Sequence, residues 1–336
     1  MLMRIAINGF GRIGRAVFRI AEGLDDVEVV AINDLFDPNA LRYLLTFDTV
    51  MGRFNGGVSI EGEYLVTPNS RARMYQERQP EDLPWAELGI DAVVESTGVF
   101  RARDQLQRHL DAGAKRVLLT VPAKDDIDYT VVLGVNDGGL AADHRIVSNA
   151  SCTTNCLAPL AKVLQDAFGI REGVINTVHA YTNDQSLADV PHSDWRRSRA
   201  AAENIIPTST GAAKAVGEVL PELNGRLDGI ASRVPVPDGS VVDLFAELET
   251  EVTVAEVNRV VQAAAETETL AGVLEYTVEP IVSSDIIGNP HSSIFDASFT
   301  QVGNGRFIKT LSWYDNEWGY SNRVCDVLRM MAKLDA

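Results

Sequence analysis

The sequence predicts an α/β protein of two domains: a doubly wound parallel sheet over residues 1–150, then an α+β domain with a mostly antiparallel sheet over 151–316. Strand-like and helix-like runs alternate through the first 150 residues, which is typical of parallel sheets. Strand-like runs dominate after residue 152, which favours an antiparallel or mixed sheet. The length of 336 residues suits two domains.

The first strand is expected at residues 3–7, and a glycine-rich turn follows it directly. This turn reads Asn-Gly-Phe-Gly-Arg-Ile-Gly and opens an amphipathic run that ends near residue 22. Strand, G-x-G-x-x-G and helix together form the dinucleotide fingerprint of Rossmann-type domains. Gly9 allows the tight turn, Gly11 lets the backbone approach a pyrophosphate, and Gly14 allows close packing of helix and strand.

A second strand is expected at residues 27–32, and Asp34 follows it, twenty residues beyond Gly14. A carboxylate at this spacing can accept hydrogen bonds from the ribose of NAD. Its charge would repel the extra phosphate of NADP, and Leu35 offers no compensating cation. We therefore expect NAD as the cofactor. Further strands of the domain are expected at 91–95, 116–120, 130–133 and 145–148.

In the second domain the strands and helices are expected to follow one another less regularly. The strands are expected at 174–181, 229–236, 240–248, 294–300 and 306–313, and the helices at 211–220, 254–265 and 318–333. We expect the C-terminal helix, residues 317–336, to pack back on the first domain.

Cys152 lies in the segment Ser-Asn-Ala-Ser-Cys-Thr-Thr-Asn-Cys, directly before an apolar, helix-forming run at 157–168. Unpaired N–H groups at a helix N-terminus stabilise an anion, so we expect this thiol to ionise more readily than an ordinary cysteine. The alternative is that the cysteine is inert core packing. A thiolate beside a nicotinamide suggests that an aldehyde is captured as a thiohemiacetal, which then loses hydride. This step needs a base, and His179, at the end of a predicted strand, is the best of the five histidines. A hydrogen-bonded core histidine is the alternative.

Composition excludes several classes of partner. The chain has 47 acidic and 30 basic residues and a net charge of −17, which argues against nucleic acid and anionic membranes. The basic run Arg-Arg-Ser-Arg at 196–199 is either solvated or binds a small anionic substrate. Three cysteines without a C-x-x-C pair argue against a disulfide framework and a structural zinc site, and we expect no metal. No membrane span or signal peptide is apparent, which predicts a cytoplasmic protein.

Six motifs resemble the family of phosphorylating glyceraldehyde-3-phosphate dehydrogenases. They lie at residues 6–15, 148–159, 179–185, 205–216 (IIPTSTGAAKAV), 233–235 and 313–321 (WYDNEWGYS). The resemblance implies that Cys152 is the nucleophile and that His179 is the base and thiol activator. It also implies a thioester of glyceraldehyde 3-phosphate that inorganic phosphate attacks to give 1,3-bisphosphoglycerate, NAD as cofactor, and a homotetramer.

The resemblance also implies roles for individual residues. Additional cofactor contacts would come from Phe10, Arg12, Ile13, Ser96, Thr97, Phe100, Thr120 and Asn316, the last to the nicotinamide amide. The phosphate of the substrate would be bound by Thr182, Asp184 and Arg233. Attacking inorganic phosphate would be bound by Ser151, Thr153, Arg197, Thr210 and Gly211. Hydroxyls, backbone N–H groups and guanidinium groups are suitable donors to phosphate.

Three other functions remain open at this point. Erythrose-4-phosphate dehydrogenase shares the fold, cofactor, cysteine and histidine, although that relative typically lacks the Tyr-Thr-Asn-Asp and Thr-Ser-Thr-Gly patterns found here. A cysteine hydrolase could use Cys152 and His179 with water as the acceptor, but the glycine fingerprint with Asp34 argues against it. A binding protein without enzymatic activity is the third.

Overall fold

The computed structural model describes residues 2–334, which fall into two compact units. The first unit comprises residues up to Val131, Gly138–Ser151 and the C-terminal segment from Ser321. The second comprises Val132–Asp137 and Cys152–Tyr320. Within the described residues, no helix is both long and apolar enough to cross a membrane.

The first unit is built on a nine-stranded sheet with the order β3-β4-β5-β2-β1-β6-β7-β9-β8. Its strands are β1 (Met3–Asn8), β2 (Val27–Asn33), β3 (Ser59–Glu61), β4 (Tyr64–Val66), β5 (Arg71–Tyr75), β6 (Ala92–Glu95), β7 (Arg116–Leu119), β8 (Tyr129–Thr130) and β9 (Ile146–Ser148). Antiparallel pairing is confined to β3, β4 and β5 at one edge, and the other pairs are parallel. The carboxyl ends of β1, β2 and β6 therefore lie side by side.

The second unit is built on an eight-stranded mixed sheet with the order β11-β12-β10-β13-β17-β15-β14, and β16 pairs with β17. Its strands are β10 (Ile170–Ala180), β11 (Ile206–Ser209), β12 (Leu227–Val234), β13 (Ser240–Leu248), β14 (Leu274–Thr277), β15 (Ser293–Asp296), β16 (Gln301–Gly303) and β17 (Phe307–Tyr314). Five of its pairs are antiparallel, while β10–β12 and β14–β15 are parallel. The predicted fold class is confirmed.

Eight helices accompany the sheets in the described residues. They are α1 (Arg12–Ala21), α2 (Pro38–Thr46), α3 (Trp85–Leu88), α4 (Arg103–Asp111), α5 (Cys152–Phe168), α6 (Ala212–Val219), α7 (Val254–Ala265) and α8 (Trp318–Leu334). Helix α7 begins where predicted because Thr253 Oγ1 accepts from Glu256 N at 3.3 Å, while the Glu256 carboxylate accepts from Thr253 N at 2.8 Å. This reciprocal capping box satisfies N–H groups that lack helical partners.

Two predicted strands are shorter than expected. The strand expected at 130–133 ends at Thr130, because Val132 N donates to Asn136 Oδ1 at 2.8 Å and the chain then turns at Gly134, whose φ is 76°. The strand expected at 294–300 ends at Asp296, whose carboxylate accepts from Ser298 N at 3.1 Å and opens a short 3₁₀ turn. In both places a polar turn outweighs the apolar pattern.

Candidate active site

Cys152 is the first residue of α5, as predicted, and its thiol lies 3.5 Å from His179 Nε2. Burial raises the pKa of Cys152, although the Arg233 charge and the Thr153 donors oppose this. The expectation of an easily ionised thiol is therefore wrong for the free thiol, since loss of hydration outweighs the helix terminus. Ionisation requires a partner that takes the proton.

His179 is positioned to be that partner. It lies near the end of β10, opposite Arg233 on β12, and is 4% exposed. Its Nδ1 lies 2.7 Å from the carbonyl oxygen of Ala180. Arg233 Nη1 also lies 2.5 Å from Nδ1, so that nitrogen faces both an acceptor and a donor, and Nε2 is the nitrogen that faces the thiol. Burial and then the charge of Arg233 lower the pKa of His179 to about 3. The imidazole is therefore neutral and able to act as a base.

The guanidinium of Arg233 lies against the same histidine. Its Nη1 donates to the Ala180 carbonyl at 3.0 Å and lies 2.5 Å from His179 Nδ1. A fixed cation at this distance disfavours the imidazolium form of His179 and favours a thiolate at Cys152. The arrangement therefore supports proton transfer away from sulfur and the binding of an anionic substrate nearby.

Tyr314 completes this cluster, and the sequence analysis missed it. Its fully buried hydroxyl lies 2.8 Å from Thr153 Oγ1 and 2.8 Å from Thr177 Oγ1. Its ring stands edge-on to the imidazole of His179, with ring centroids 5.8 Å apart. Tyr314 therefore holds the side chain of Thr153, next to the nucleophile, and packs against the imidazole ring of His179. The motif at 313–321 contained it, but nothing local marks its role.

A second cation lies in the loop between β10 and β11. Arg197 pairs with Asp184 and donates from Nε to Thr208 Oγ1 at 2.9 Å. Burial would raise the pKa of Asp184, but the hydrogen bond and charge of Arg197 lower it overall. Asp184 is thus an anion that orients Arg197. Thr208, which fixes the other edge of the guanidinium, was not predicted as a site residue.

The remaining predicted phosphate ligands lie at chain turns. Thr210 Oγ1 accepts from Ala212 N at 3.2 Å, and exposed Gly211 is the N-cap of α6. Thr182 follows β10 and is half-buried, as is Ser151, which precedes the nucleophile. Thr153, by contrast, is 4% exposed and is bound to Tyr314. Its side chain therefore supports Cys152 more directly than it supports a phosphate.

The fingerprint turn in the first unit has the geometry that its glycines require. Gly9 has φ of 94°, and a Cβ there would lie 2.6 Å from Thr97 N. A Cβ on Gly14 would lie 2.2 Å from the Gly9 carbonyl oxygen. A Cβ on Gly11 meets nothing within 4 Å, so this position faces open space at the start of α1. The turn thus offers the approach and the helix N-terminus that a dinucleotide pyrophosphate needs.

The side chains around this turn are anchored. Asp34 accepts from Phe10 N at 2.7 Å and from Phe36 N at 3.1 Å, and each carboxylate oxygen retains a further lone pair. Arg12 is paired with Asp48. The ring of Phe10 is fully buried against Phe18, so only its backbone is available to a ligand.

Glu95 holds the residues that flank the turn and was not predicted as a site residue. Its fully buried carboxylate accepts from Asn8 Nδ2 at 2.6 Å and from Thr97 N at 2.9 Å. His109 Nε2 lies 3.0 Å away, and the indole N–H of Trp85 donates to His109 Nδ1 at 3.1 Å. Because indole only donates, His109 must donate from Nε2 to Glu95.

Other predicted cofactor residues hold the same turn or lie beside it. Ser96 Oγ donates to the Gly9 carbonyl oxygen at 2.7 Å, and Thr120 Oγ1 donates to the Glu95 carbonyl oxygen at 3.1 Å. Ile13 and Phe100 are half-buried. In the second unit, Asn316 follows β17, and its Oδ1 accepts from Ser240 Oγ at 2.6 Å. Among residues 2–334, no group of three or more His, Cys, Asp or Glu side chains is placed to bind a metal.

Comparisons with known proteins agree with both halves of this arrangement. The family described as the NAD binding domain of glyceraldehyde 3-phosphate dehydrogenase matches residues 3–103, and the C-terminal domain of that enzyme matches residues 151–316. The chain is 57% identical to glyceraldehyde-3-phosphate dehydrogenase of Borreliella burgdorferi, over 98% of this chain and 100% of that protein. It is 56% identical to the Geobacillus stearothermophilus enzyme and 55% identical to that of Priestia megaterium, with 99% of each chain covered. These findings do not favour the erythrose-4-phosphate alternative. The chain therefore belongs to the glyceraldehyde-3-phosphate dehydrogenase family of NAD-dependent oxidoreductases.

Proposed function

We propose that this chain oxidises glyceraldehyde 3-phosphate and phosphorylates the product to 1,3-bisphosphoglycerate, using the sulfur of Cys152 as the nucleophile. The observation that carries the proposal is the 3.5 Å approach of the Cys152 thiol to Nε2 of His179, whose imidazole is neutral. His179 Nε2 takes the thiol proton, sulfur bonds to the aldehyde carbon, and the proton passes to the carbonyl oxygen to give a thiohemiacetal. NAD, when bound, would supply the acceptor for the hydride of that carbon, and His179 would take the hydroxyl proton. The resulting thioester is attacked by inorganic phosphate, the C–S bond breaks, and the acyl phosphate leaves.

The chain's own residues would hold NAD at the fingerprint turn. The open position at Gly11 and the start of α1 suit the pyrophosphate, and Asp34 suits the adenosine ribose. Arg12 is already paired with Asp48, so its charge is largely neutralised. Preference for NAD over NADP follows from the charge of Asp34. Asn316, held by Ser240, would bind the nicotinamide amide.

Two phosphate positions complete the proposal. Thr182, Asp184 and Arg233 would serve the phosphate of the substrate, and Asp184 is also paired with Arg197. Ser151, Thr153, Arg197, Thr210 and Gly211 would serve inorganic phosphate, with Thr153 contributing mainly at the thiol. Both sets present a guanidinium among hydroxyls and backbone N–H groups.

We assign residues 1–150 to the NAD-binding domain and 151–316 to the catalytic domain. The C-terminal helix of residues 317–336 is assigned to the first domain as far as Leu334, since residues 335–336 lie outside the described residues. The family resemblance implies a homotetramer, which we propose here, and large apolar side chains in the 187–205 loop support a subunit interface at that loop. Leu187 is 84% exposed and Trp195 is 86% exposed. The cytoplasmic location stays a prediction of the sequence.

A spectrophotometric assay of NAD reduction tests the function. We expect multiple turnovers of NAD reduction with glyceraldehyde 3-phosphate only when phosphate is present, and little reduction with erythrose 4-phosphate. Cys152→Ser should nearly abolish turnover, and His179→Asn should slow it by roughly 10²–10⁴-fold. Multiple turnovers of NAD reduction without phosphate, or near-normal activity of Cys152→Ser, would overturn the proposal.

A further inference from the structure

Two buried carboxyl groups meet where the central strands of the second sheet end. Asp238 precedes β13 and Asp315 follows β17, and each residue is 1% exposed. The antiparallel register, in which Ser240 pairs with Tyr314, brings the two side chains side by side. An ionised carboxylate can only accept, so a hydrogen bond between these two groups requires one proton.

The surrounding donors show which group carries that proton. Three backbone N–H groups donate to Asp315 at 2.6–2.9 Å, those of Gly288, Glu317 and Trp318. Asp238 receives one, from Gly239 N at 2.8 Å on Oδ1. Its buried Oδ2 accepts no N–H or hydroxyl from the described residues. Asp315 is therefore the anion, and Asp238 is the acid that donates to it.

The environment favours retention of the proton. Burial, then the charges of Asp315 and Glu317, raise the pKa of Asp238 to about 9. No Lys or Arg of the described chain forms an ion pair with either carboxyl. The turn is closely packed at Gly239, which has φ of 85° and where a Cβ would lie 2.3 Å from the Ser283 carbonyl oxygen.

The same two segments are joined by a second side-chain bond. Ser240 Oγ accepts from Ala180 N at 3.0 Å and donates to Asn316 Oδ1 at 2.6 Å. The oxygen of the Asn316 amide is thereby fixed, and its NH₂ group remains available as a donor. The bond between Asp238 and Asp315 therefore closes the turn on the segment that carries Asn316.

We propose that Asp238 is a positioning residue that shares one proton with Asp315 and so holds Asn316 in place for the nicotinamide amide. The part concerning nicotinamide rests on the proposed function. The shared proton itself does not, because it concerns only the folded chain.

Thermal unfolding across the pH range tests the shared proton. The unfolded chain loses the Asp238 proton near its ordinary pKa of about 4, whereas the folded chain keeps it to about 9. Between these values the folded state holds one extra proton, so its stability falls as pH rises, by about tenfold in the folding equilibrium per pH unit. Asp238→Asn keeps a donor to Asp315 at every pH and has no proton to lose.

We expect Asp238→Asn to melt at a temperature no lower than the wild type at neutral pH, with an advantage that widens towards alkaline pH. Asp143→Asn, which removes an exposed carboxylate, should track the wild type. Infrared spectra should show an un-ionised carboxyl band in the wild type that Asp238→Asn lacks. Melting temperatures of wild type and Asp238→Asn that change with pH in the same way, or the absence of this infrared band from the wild type, would overturn the shared proton.

The KM for NAD tests the positioning role. Its ratio between wild type and Asp238→Asn cancels the titrations of Cys152 and His179, which both proteins share. We expect the ratio to climb as the pair ionises, by up to about tenfold per pH unit. A ratio that stays flat while the melting curves diverge would overturn the link to Asn316. A protein that reduces no NAD would refute the proposed function instead, and the melting curves would still report on the proton.

Discussion

Replacing Arg233 by alanine removes the cation that lies against both His179 and the proposed phosphate of the substrate. A hydrogen bond to a charged group contributes about 1.5–3 kcal/mol, which corresponds to roughly 10- to 150-fold in kcat/KM for glyceraldehyde 3-phosphate. Unphosphorylated glyceraldehyde lacks that phosphate. The kcat/KM of the variant for glyceraldehyde should therefore fall by a smaller factor.

The pH profile provides an independent check of the same replacement. Arg233 is the second cause, after burial, of the low pKa of His179. Without this cation the pKa should rise towards 6.5, the ordinary value of histidine. His179 is an active base only when neutral, so the acid limb of kcat/KM should move to higher pH. Arg171→Ala, at an exposed ion pair near the start of β10, is the matched control. Equal losses with both aldehydes, together with an unmoved acid limb, would refute the reasoning.

Replacements at three further positions test other parts of the site. Tyr314→Phe keeps the ring but removes the hydroxyl between two buried threonines. Chemical unfolding should show a free energy of unfolding lower by about 1–3 kcal/mol, and the NAD-reduction assay should show a reduced kcat. Unchanged values of both would contradict this role. Asp34→Asn should make NADP usable while preserving an acceptor for Phe10 N, and Asp34→Ala should also weaken the binding of NAD. The ratio of kcat/KM for the two cofactors measures this preference. An unchanged ratio would exclude Asp34 as the selectivity residue. Arg197→Ala should chiefly raise the KM for inorganic phosphate. A rise confined to the KM for the aldehyde would instead assign Arg197 to the phosphate of the substrate.

The features that the sequence predicted well depend on local signals. The limits of β13 and α7 match the prediction, because alternation and a capping box act over a few residues. The fingerprint glycines were recognisable because a tight turn and a close approach each demand a residue without Cβ. Cys152 could be placed at the start of α5 for a similar reason, since the apolar helical run follows it directly.

The features that were missed depend on distant pairing. Tyr314 reaches Thr153 across 161 positions of sequence, and only the strand register brings them together. The partners of Asp238 are likewise set by the pairing of β13 with β17. The pKa of Cys152 was expected in the wrong direction because a helix terminus is visible in sequence, whereas burial depends on tertiary packing.

Covalent capture at Cys152 is the central claim, and mass spectrometry of the intact protein tests it most directly. The protein is mixed with glyceraldehyde 3-phosphate and NAD in phosphate-free buffer and then quenched with acid. We predict a mass increase equal to one 3-phosphoglyceroyl group, located on the peptide that contains Cys152, and its loss when inorganic phosphate is added before quenching. NAD reduction with no adduct, or an adduct of the same size in Cys152→Ser, would contradict the account.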